Sequence, residues 1–237
     1  GQIALRYWGQ AQTRRKQDGS LVTDADEACE VAIVDALSRE FPNHAIISEE
    51  GARTEGTGGT WYVDPIDGTS SFVEGLAHWG PTISLVQDGA FFVGGFWQPR
   101  LNDFWCAHKG VGAWKNGEIL LTQAPPERIL STHSLYGPSG MHRRGPLPWP
   151  GKLRALGTTA GHLALVASTP GSIAFVPRWK MWDIGNGILM VEQSGGVITD
   201  LSGQAWNPLV DPHQPFLAGS PIAIQHLIEQ DTFSNDV

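Results

Sequence analysis

The order of helical and strand patterns along these 237 residues predicts a mixed α/β protein with layered packing. Three observations support this class. Helical patterns precede a β-rich segment, strands and helices mix again in the second half, and the composition, 41% hydrophobic and 17% charged, is ordinary for a globular chain. The length is ample for a buried core and suits one large domain or two fused halves.

The first 40 residues predict two helices separated by a turn. Apolar spacing predicts an amphipathic helix over 1–12, and the charged residues of 14–19 predict a turn. Thr23 stands three residues before Asp26, a capping-box spacing that predicts a helix over 24–39.

Short apolar runs broken by Gly, Pro and Asp then predict strands. The predicted strands of this half are 45–47, 61–63, 82–86, 91–97 and 103–107. Ser71 and Glu74 repeat the capping-box spacing, so a helix is expected just after residues 67–69. A hairpin turn is predicted at 115–117, where Asn-Gly occurs.

A segment with two prolines, 123–128, is the predicted boundary between an N-terminal half, 1–125, and a C-terminal half, 126–237. We expect the two halves to form one compact unit. The elements predicted for the second half are strands 129–131, 172–176 and 197–199, helices 161–168 and 183–194, and a loop-rich segment 136–150.

Charge and composition narrow the function classes. The net charge of −8 opposes general nucleic-acid binding, which needs a basic face. No apolar run approaches the ~18–20 residues of a membrane span. The two cysteines, Cys29 and Cys106, do not make a disulfide scaffold, so a cytoplasmic location is the expectation. The chain starts at Gly1 inside a helical pattern, so the presence of a targeting segment ahead of Gly1 is an open question.

The run Asp64-Pro65-Ile66-Asp67-Gly68-Thr69 is the most informative motif. Proline keeps Asp64 out of helical geometry, so a strand ends with a carboxylate at its tip. Asp67 follows across a tight turn, and Gly68 allows close backbone approach or positive φ. Thr69 and Ser70 then offer hydroxyl and N–H groups at a helix start. Two carboxylates beside an anion site suit hard cations that bridge them to a phosphate, whereas the ordinary alternative is a turn followed by a helix cap.

Three further acidic sites have good structural explanations of their own. Glu49 and Glu50 follow a short strand and could lie in a solvated loop. Asp183 heads a predicted helix and could be its N-cap, and Asp26 could serve only in the capping box.

Together, and in this order, these motifs resemble the inositol monophosphatase family. The resemblance covers nearly the whole chain, through VTDAD (22–26), SEEG (48–51), WYVDPIDGTSSF (61–72), LGTTAG (156–161) and KMWD (180–183). The wider superfamily includes fructose bisphosphatases and phosphoadenosine-phosphate phosphatases. The resemblance implies a layered αβαβα sandwich, hydrolysis of a small phosphorylated metabolite by metal-activated water, two or three Mg²⁺ ions, and a homodimer.

The resemblance also implies roles for individual residues. The implied metal ligands are Glu49, Asp64, the carbonyl of Ile66, Asp67 and Asp183. The implied catalytic residues, which position and deprotonate the attacking water, are Glu49, Thr69 and Asp26. The implied phosphate- and substrate-binding residues are Asp67, Gly68, Thr69, Ser70, Gly157, Thr158, Thr159, Val176, Arg178 and Lys180.

One position departs from the family pattern. Val176 stands where the family has its inositol-binding glutamate, and Arg178 and Lys180 stand nearby. The two alternatives are that these cations bind a second phosphate or a carboxylate of the substrate, or that they lie on a loop and are solvated. An inositol monophosphate is the default substrate, with histidinol phosphate as the alternative, and a 3′-nucleotide or sugar bisphosphate ranks lower. A non-catalytic regulatory protein on the same fold is the alternative from a different class.

Overall fold

The structure is a computed structural model that describes residues 1–120, 126–144, 147–230 and 232. Within these residues the helices are α1 (Gln2–Tyr7), α2 (Asp24–Glu40), α3 (Thr69–Val73), α4 (Thr159–Ser168), α5 (Met181–Gln193) and α6 (Pro221–Glu229), with a 3-10 helix at Ser139–Arg144. The strands are β1 (Thr13–Arg15), β2 (Leu21–Thr23), β3 (Ala45–Ser48), β4 (Arg53–Thr54), β5 (Thr60–Asp67), β6 (Gly80–Gln87), β7 (Ala90–Gln98), β8 (Asp103–His108), β9 (Gly112–Lys115), β10 (Glu118–Ile119), β11 (Ser134–Tyr136), β12 (Lys152–Arg154), β13 (Ile173–Val176), β14 (Val197–Thr199) and β15 (Phe216–Gly219).

An eight-stranded mixed sheet has the order β10-β9-β8-β7-β6-β5-β3-β4. Strands β3 and β5 are parallel neighbours, with Ser48 opposite Val63. Because parallel strands run toward the same edge of a sheet, the residues that follow each of these positions lie side by side. This edge therefore brings Glu49 and Asp64 together.

A five-stranded sheet has the order β12-β11-β13-β15-β14. Strand β11 is parallel to both of its neighbours, and β15 is antiparallel to both of its own. Helix α5 begins a few residues after β13, which directs its first turn toward the acidic edge of the larger sheet.

Five layers stack in the order helix, sheet, helix, sheet, helix. Helix α2 packs through Leu37 on strands of the larger sheet, including Trp61. Helices α4 and α5 lie between the two sheets and share one apolar core with both. Helix α6 packs through Leu227 on the outer face of the smaller sheet, where Leu217 lies. The predicted αβαβα architecture is confirmed, since each amphipathic element buries its apolar face against the next layer.

Several predicted elements differ from the structure in the first half. The helix expected over 1–12 ends at Tyr7, and Gly9 then adopts a φ of +79°. The charged turn expected at 14–19 is present in its second part, where Gly19 N–H donates to the carbonyl of Lys16 between β1 and β2, whereas Arg14 and Arg15 belong to β1. The helix expected just after 67–69 is confirmed, but it begins at Thr69 with Gly68 as its N-cap, so the capping box expected at Ser71 is wrong.

In the second half, the strand predicted at 129–131 is wrong. The chain turns there, with the backbone N–H of His133 donating to the carbonyl of Leu130 at 3.0 Å, and β11 begins at Ser134. Residues 123–125 of the predicted boundary lie outside the described residues, and the division into two halves stays a prediction. Cys29 and Cys106 are free thiols.

Candidate functional site

Three carboxylates from distant parts of the chain converge at one edge of the larger sheet. Glu49 follows β3, Asp64 lies in β5, and Asp183 lies in the first turn of α5. One carboxylate oxygen from each lies within 4.8 Å of the others. Oxygen donors at this spacing fit a hard divalent cation such as Mg²⁺. The three donors are all carboxylate oxygens, the ligand type that Mg²⁺ prefers.

Local hydrogen bonds hold two of these carboxylates in place. The backbone N–H of Ile66 donates to Asp64 Oδ1 at 2.8 Å, across the turn that Pro65 begins. The backbone N–H of Lys180 donates to Asp183 Oδ2 at 2.7 Å, which is the N-terminal capping interaction of α5. Asp183 is therefore not the N-cap that the sequence suggested: Lys180 is the N-cap, and Asp183 is the N3 residue that accepts from its backbone N–H. This hydrogen bond and a metal-facing position are compatible, since a carboxylate has lone pairs for both.

Asp67 lies beside this trio and joins the two halves of the chain. It accepts hydrogen bonds from the hydroxyl of Thr158, the N–H of Ala160 at 2.9 Å and the N–H of Thr159 at 3.2 Å. These donors belong to the N-terminus of α4, where free N–H groups favour an anion. Asp67 is 6% exposed, so the turn that carries it is buried rather than open to solvent.

The electrostatics of the site are unfavourable without cations. Burial raises the pKa of Asp64 well above its usual value, and the charges of the neighbouring carboxylates raise it further. Burial likewise raises the pKa of Asp183, with a further contribution from Asp67. For Asp67 burial prevails over the three hydrogen bonds and raises the pKa to about 6. Such a cluster of negative charges that repel one another is typical of a metal site.

A buried hydrogen-bond chain leads from α2 to the same site. Asp26 accepts from the N–H and hydroxyl of Thr23 at 2.8 and 2.6 Å, so the predicted capping box is confirmed. The hydroxyl of Thr69 lies 3.2 Å from Asp26 Oδ1 and 3.1 Å from the carbonyl oxygen of Ile66. These two oxygens are therefore the acceptors available to the hydroxyl proton of Thr69.

Lys16 is a residue of the site that the sequence reasoning missed. It follows β1, and its Nζ donates to Glu49 at 2.7 Å and to Glu50 at 2.9 Å. Burial acts to lower the pKa of Lys16, but these two hydrogen bonds prevail and raise it. Burial raises the pKa of Glu50 to about 7 in spite of the lysine. In the sequence, Lys16 belongs to the charged segment 14–19, which predicts a turn and does not indicate a contact with Glu49 or Glu50.

The carboxylates border a cleft of about 350 Å³, here called the acidic cleft. Its wall also contains residues of the β1–β2 hairpin and the turn before α3. The lining residues are Gly19, Ser20, Leu21, Glu49, Asp64, Ile66, Asp67, Gly68, Thr69, Ser70, Gly157, Thr159 and Asp183.

A second cavity of about 780 Å³, here called the side cavity, adjoins the acidic cleft, because Gly157 and Thr159 line both. Its lining also includes three of the predicted substrate-binding residues, Thr158, Val176 and Arg178. Lys180 lines neither cavity. The sequence reasoning did not single out another lining residue, Arg143 of the 3-10 helix.

The family model described as the inositol monophosphatase family matches residues 1–233. The chain belongs to the inositol monophosphatase family.

Relatives of this inositol monophosphatase family member carry different names. A fructose-1,6-bisphosphatase/inositol-1-monophosphatase of Thermotoga maritima is 32% identical, over 87% of this chain and 82% of that protein. A histidinol-phosphatase of Mycobacterium tuberculosis is 33% identical, over 92% and 85%. The crystal structure of the extragenic suppressor protein suhB of Bartonella henselae has a TM-score of 0.84 at 25% identity, covering 96% of this chain and 92% of that one.

The printed names of the first two relatives give different substrates, and that of the third gives none. Among the described helices of this family member, none is long and apolar enough to cross a membrane.

Proposed function

We propose that the protein is a Mg²⁺-dependent phosphomonoesterase that hydrolyses a small phosphorylated metabolite. The observation that carries the proposal is the convergence of Glu49, Asp64 and Asp183, whose ligand oxygens lie within 4.8 Å of one another. Buried carboxylates that raise each other's pKa need bound protons or cations to compensate their charge, and above their raised pKa values cations take this role.

The residues present fit two or three Mg²⁺ ions. Glu49, Asp64 and the carbonyl of Ile66 would hold one ion, and Asp64 with Asp67 and Asp183 would hold another. When bound, such ions neutralise phosphate oxygens and lower the pKa of water.

Thr69 and Glu49 are proposed to handle the attacking water. Because the Thr69 proton points toward Asp26 or the Ile66 carbonyl, the lone pairs of Thr69 Oγ1 are available to accept a hydrogen bond from water. Glu49 lies in the same cleft and can take the proton that the water releases. Asp26, held by Thr23, fixes the orientation of the threonine hydroxyl.

The phosphate is proposed to lie against the turn 68–70, which borders the acidic cleft. Gly68 adopts a φ of +91°, and a Cβ there would lie 3.0 Å from the carbonyl oxygen of His78 and 3.2 Å from that of Gly157. Only glycine therefore fits this turn without strain. The wall formed by Gly157, Thr158 and Thr159 would position the rest of the substrate.

An inositol monophosphate is the first substrate to test, with histidinol phosphate as the alternative. Val176 is buried and apolar, so this position of the side cavity offers no acceptor to sugar hydroxyl groups. A cytoplasmic location and a homodimer stay predictions.

A non-catalytic regulatory role is the competing proposal, since one structural relative is named as an extragenic suppressor. The intact carboxylate cluster favours the enzyme, because a site without catalytic use can lose a ligand without consequence.

The test is Mg²⁺-dependent phosphate release over a panel of phosphomonoesters. We expect turnover by the wild type, loss of most of it in Asp64→Asn, and no change in Asp88→Asn. Asp88 is a matched control because it is exposed and has a φ of +50°, which asparagine tolerates. Absence of turnover across the panel would overturn the enzyme proposal and favour the regulatory one.

A further inference from the structure

The side cavity differs in charge from the acidic cleft that it adjoins. Among the described residues, its lining contains two arginines, Arg143 and Arg178, and no carboxylate. The whole chain has a net charge of −8, and the adjoining cleft is lined by four carboxylates. A cationic wall in this setting is a local feature that the composition does not predict.

The two arginines come from separate elements, and neither has an acidic partner within the part of the chain that the structure describes. Arg143 lies in the 3-10 helix, and Arg178 follows β13. Among the ion pairs between described residues, none involves either guanidinium. No described residue therefore compensates their charge, which is available to a ligand in the cavity.

The lining residues that the structure describes include one further titratable group, His162. The N–H of Leu156 donates to its Nε2 at 2.9 Å, so this nitrogen is an acceptor. Burial, and then the nearby His78, lower the pKa of His162 to about 4. The histidine is thus neutral near pH 7, and among the described lining residues the two arginines carry the positive charge of the side cavity.

The geometry places this positive wall within reach of a bound substrate. Gly157 and Thr159 line both the acidic cleft and the side cavity, so the two spaces meet at these residues. A substrate with its phosphate in the cleft extends past Thr159 toward Arg143 and Arg178. At about 780 Å³ the side cavity is within the size range of small-molecule sites.

We propose that Arg143 and Arg178 form a second anion subsite, and that the substrate is a phosphomonoester with an additional phosphate or carboxylate group. The proposal rests on the proposed phosphatase function and specifies its substrate class. A guanidinium donates in a planar fork that matches carboxylate and phosphate oxygens, which makes arginine suitable for such a subsite.

The subsite also predicts which substrate is disfavoured. Histidinol phosphate carries an amino group that is cationic near neutral pH, and the two arginines repel it. A doubly anionic phosphomonoester is thus expected to be hydrolysed with a higher kcat/KM than histidinol phosphate.

The experiment compares matched substrates with the Mg²⁺-loaded full chain. One pair is fructose 1,6-bisphosphate and fructose 1-phosphate, which differ by one phosphate. The other is 3-phosphoglycerate and glycerol 3-phosphate, which differ by a carboxylate. We expect the doubly anionic member of at least one pair to have a KM lower by about tenfold, the usual effect of a hydrogen bond to a charged group. The pair that shows this gain identifies the anion.

Substitutions assign the gain to residues. Arg143→Gln and Arg178→Gln are each expected to raise the KM of the doubly anionic substrate several-fold, with kcat and the single-phosphate partner little changed. Arg39→Gln is the matched control, since this arginine is 72% exposed on α2 and lines neither cavity.

The outcomes separate the two proposals. Equal KM values within both pairs, or variants that weaken both members by the same factor, overturn the subsite and leave the phosphatase proposal standing. If the panel of phosphomonoesters shows no turnover, the phosphatase proposal fails, and calorimetric titration with the same four compounds decides the subsite. Tighter binding of the doubly anionic member that Arg178→Gln removes supports the subsite, and equal binding overturns it.

Discussion

Asp64→Asn is expected to stabilise the protein without metal and to remove its response to metal. Asp64 is 2% exposed, and asparagine retains the Oδ1 that accepts from the Ile66 N–H at 2.8 Å. The substitution therefore keeps the shape and this hydrogen bond while it deletes one buried negative charge.

The magnitude follows from the separation of the carboxylates. Oxygens within 4.8 Å of one another repel with at least about 3.5 kcal/mol per ionised pair at an effective dielectric constant of ~20. Asp64 faces Glu49 and Asp183, and partial protonation relieves some of this repulsion, so we expect a gain of about 3 kcal/mol. For a chain of this size that corresponds to a rise in Tm of roughly 6–12 °C.

The assay is thermal unfolding in EDTA and in excess Mg²⁺, near pH 8. Wild type is expected to gain about 2.7 kcal/mol when Mg²⁺ is at about 100 times its Kd. Asp64→Asn should unfold at a higher temperature than wild type in EDTA and shift little on addition of Mg²⁺. Asp88→Asn controls for the amide substitution itself. A lower Tm for Asp64→Asn in EDTA, together with an undiminished Mg²⁺ shift, would refute the reasoning.

Three other predictions concern the same site. The metal-free protein should lose stability as pH rises from about 4 to 7. Burial raises the folded-state pKa of Asp67 to about 6 and of Glu50 to about 7, so the folded state binds more protons than the unfolded one over this range. Urea unfolding in EDTA measures how stability changes with pH, and a stability that increases over this range would contradict the prediction. Lys16→Gln should tighten Mg²⁺ binding by roughly threefold or more in calorimetry, since a cation that contacts Glu49 at 2.7 Å is removed; weaker binding would show that the lysine positions the ligand instead. Thr69→Val should lower kcat by about 100-fold with the calorimetric Kd for Mg²⁺ unchanged, because it removes the hydroxyl expected to orient the water, and an unchanged kcat would exclude that role.

Asp67→Asn is expected to weaken the fold as well as to remove a metal ligand. In the structure Asp67 accepts three hydrogen bonds from the start of α4. An amide group directs N–H donors toward at least one of these donors, which costs about 1–3 kcal/mol. Loss of activity in this variant therefore needs a measured unfolding curve beside it.

Local sequence was sufficient where a few adjacent residues decide the backbone. The capping box at Thr23 fixes the start of α2, and Pro65 with Gly68 shapes the turn that presents Asp64 and Asp67. The strand predicted at 129–131 failed because its apolar residues form a turn closed by His133, a contact without a local signature.

Motif order was enough to indicate the family, and through it the layered fold and the acidic residues of the site. Only the tertiary structure decided which groups meet across the layers. Lys16 reaches Glu49 across 33 residues, the α4 donors reach Asp67 across more than 90, and Arg143 meets Arg178 at one cavity. Secondary-structure propensity acts over a few neighbouring residues, whereas these contacts arise when apolar faces pack and bring distant segments together. The carboxylates could therefore be found in the sequence, but their lysine partner and the paired arginines could not.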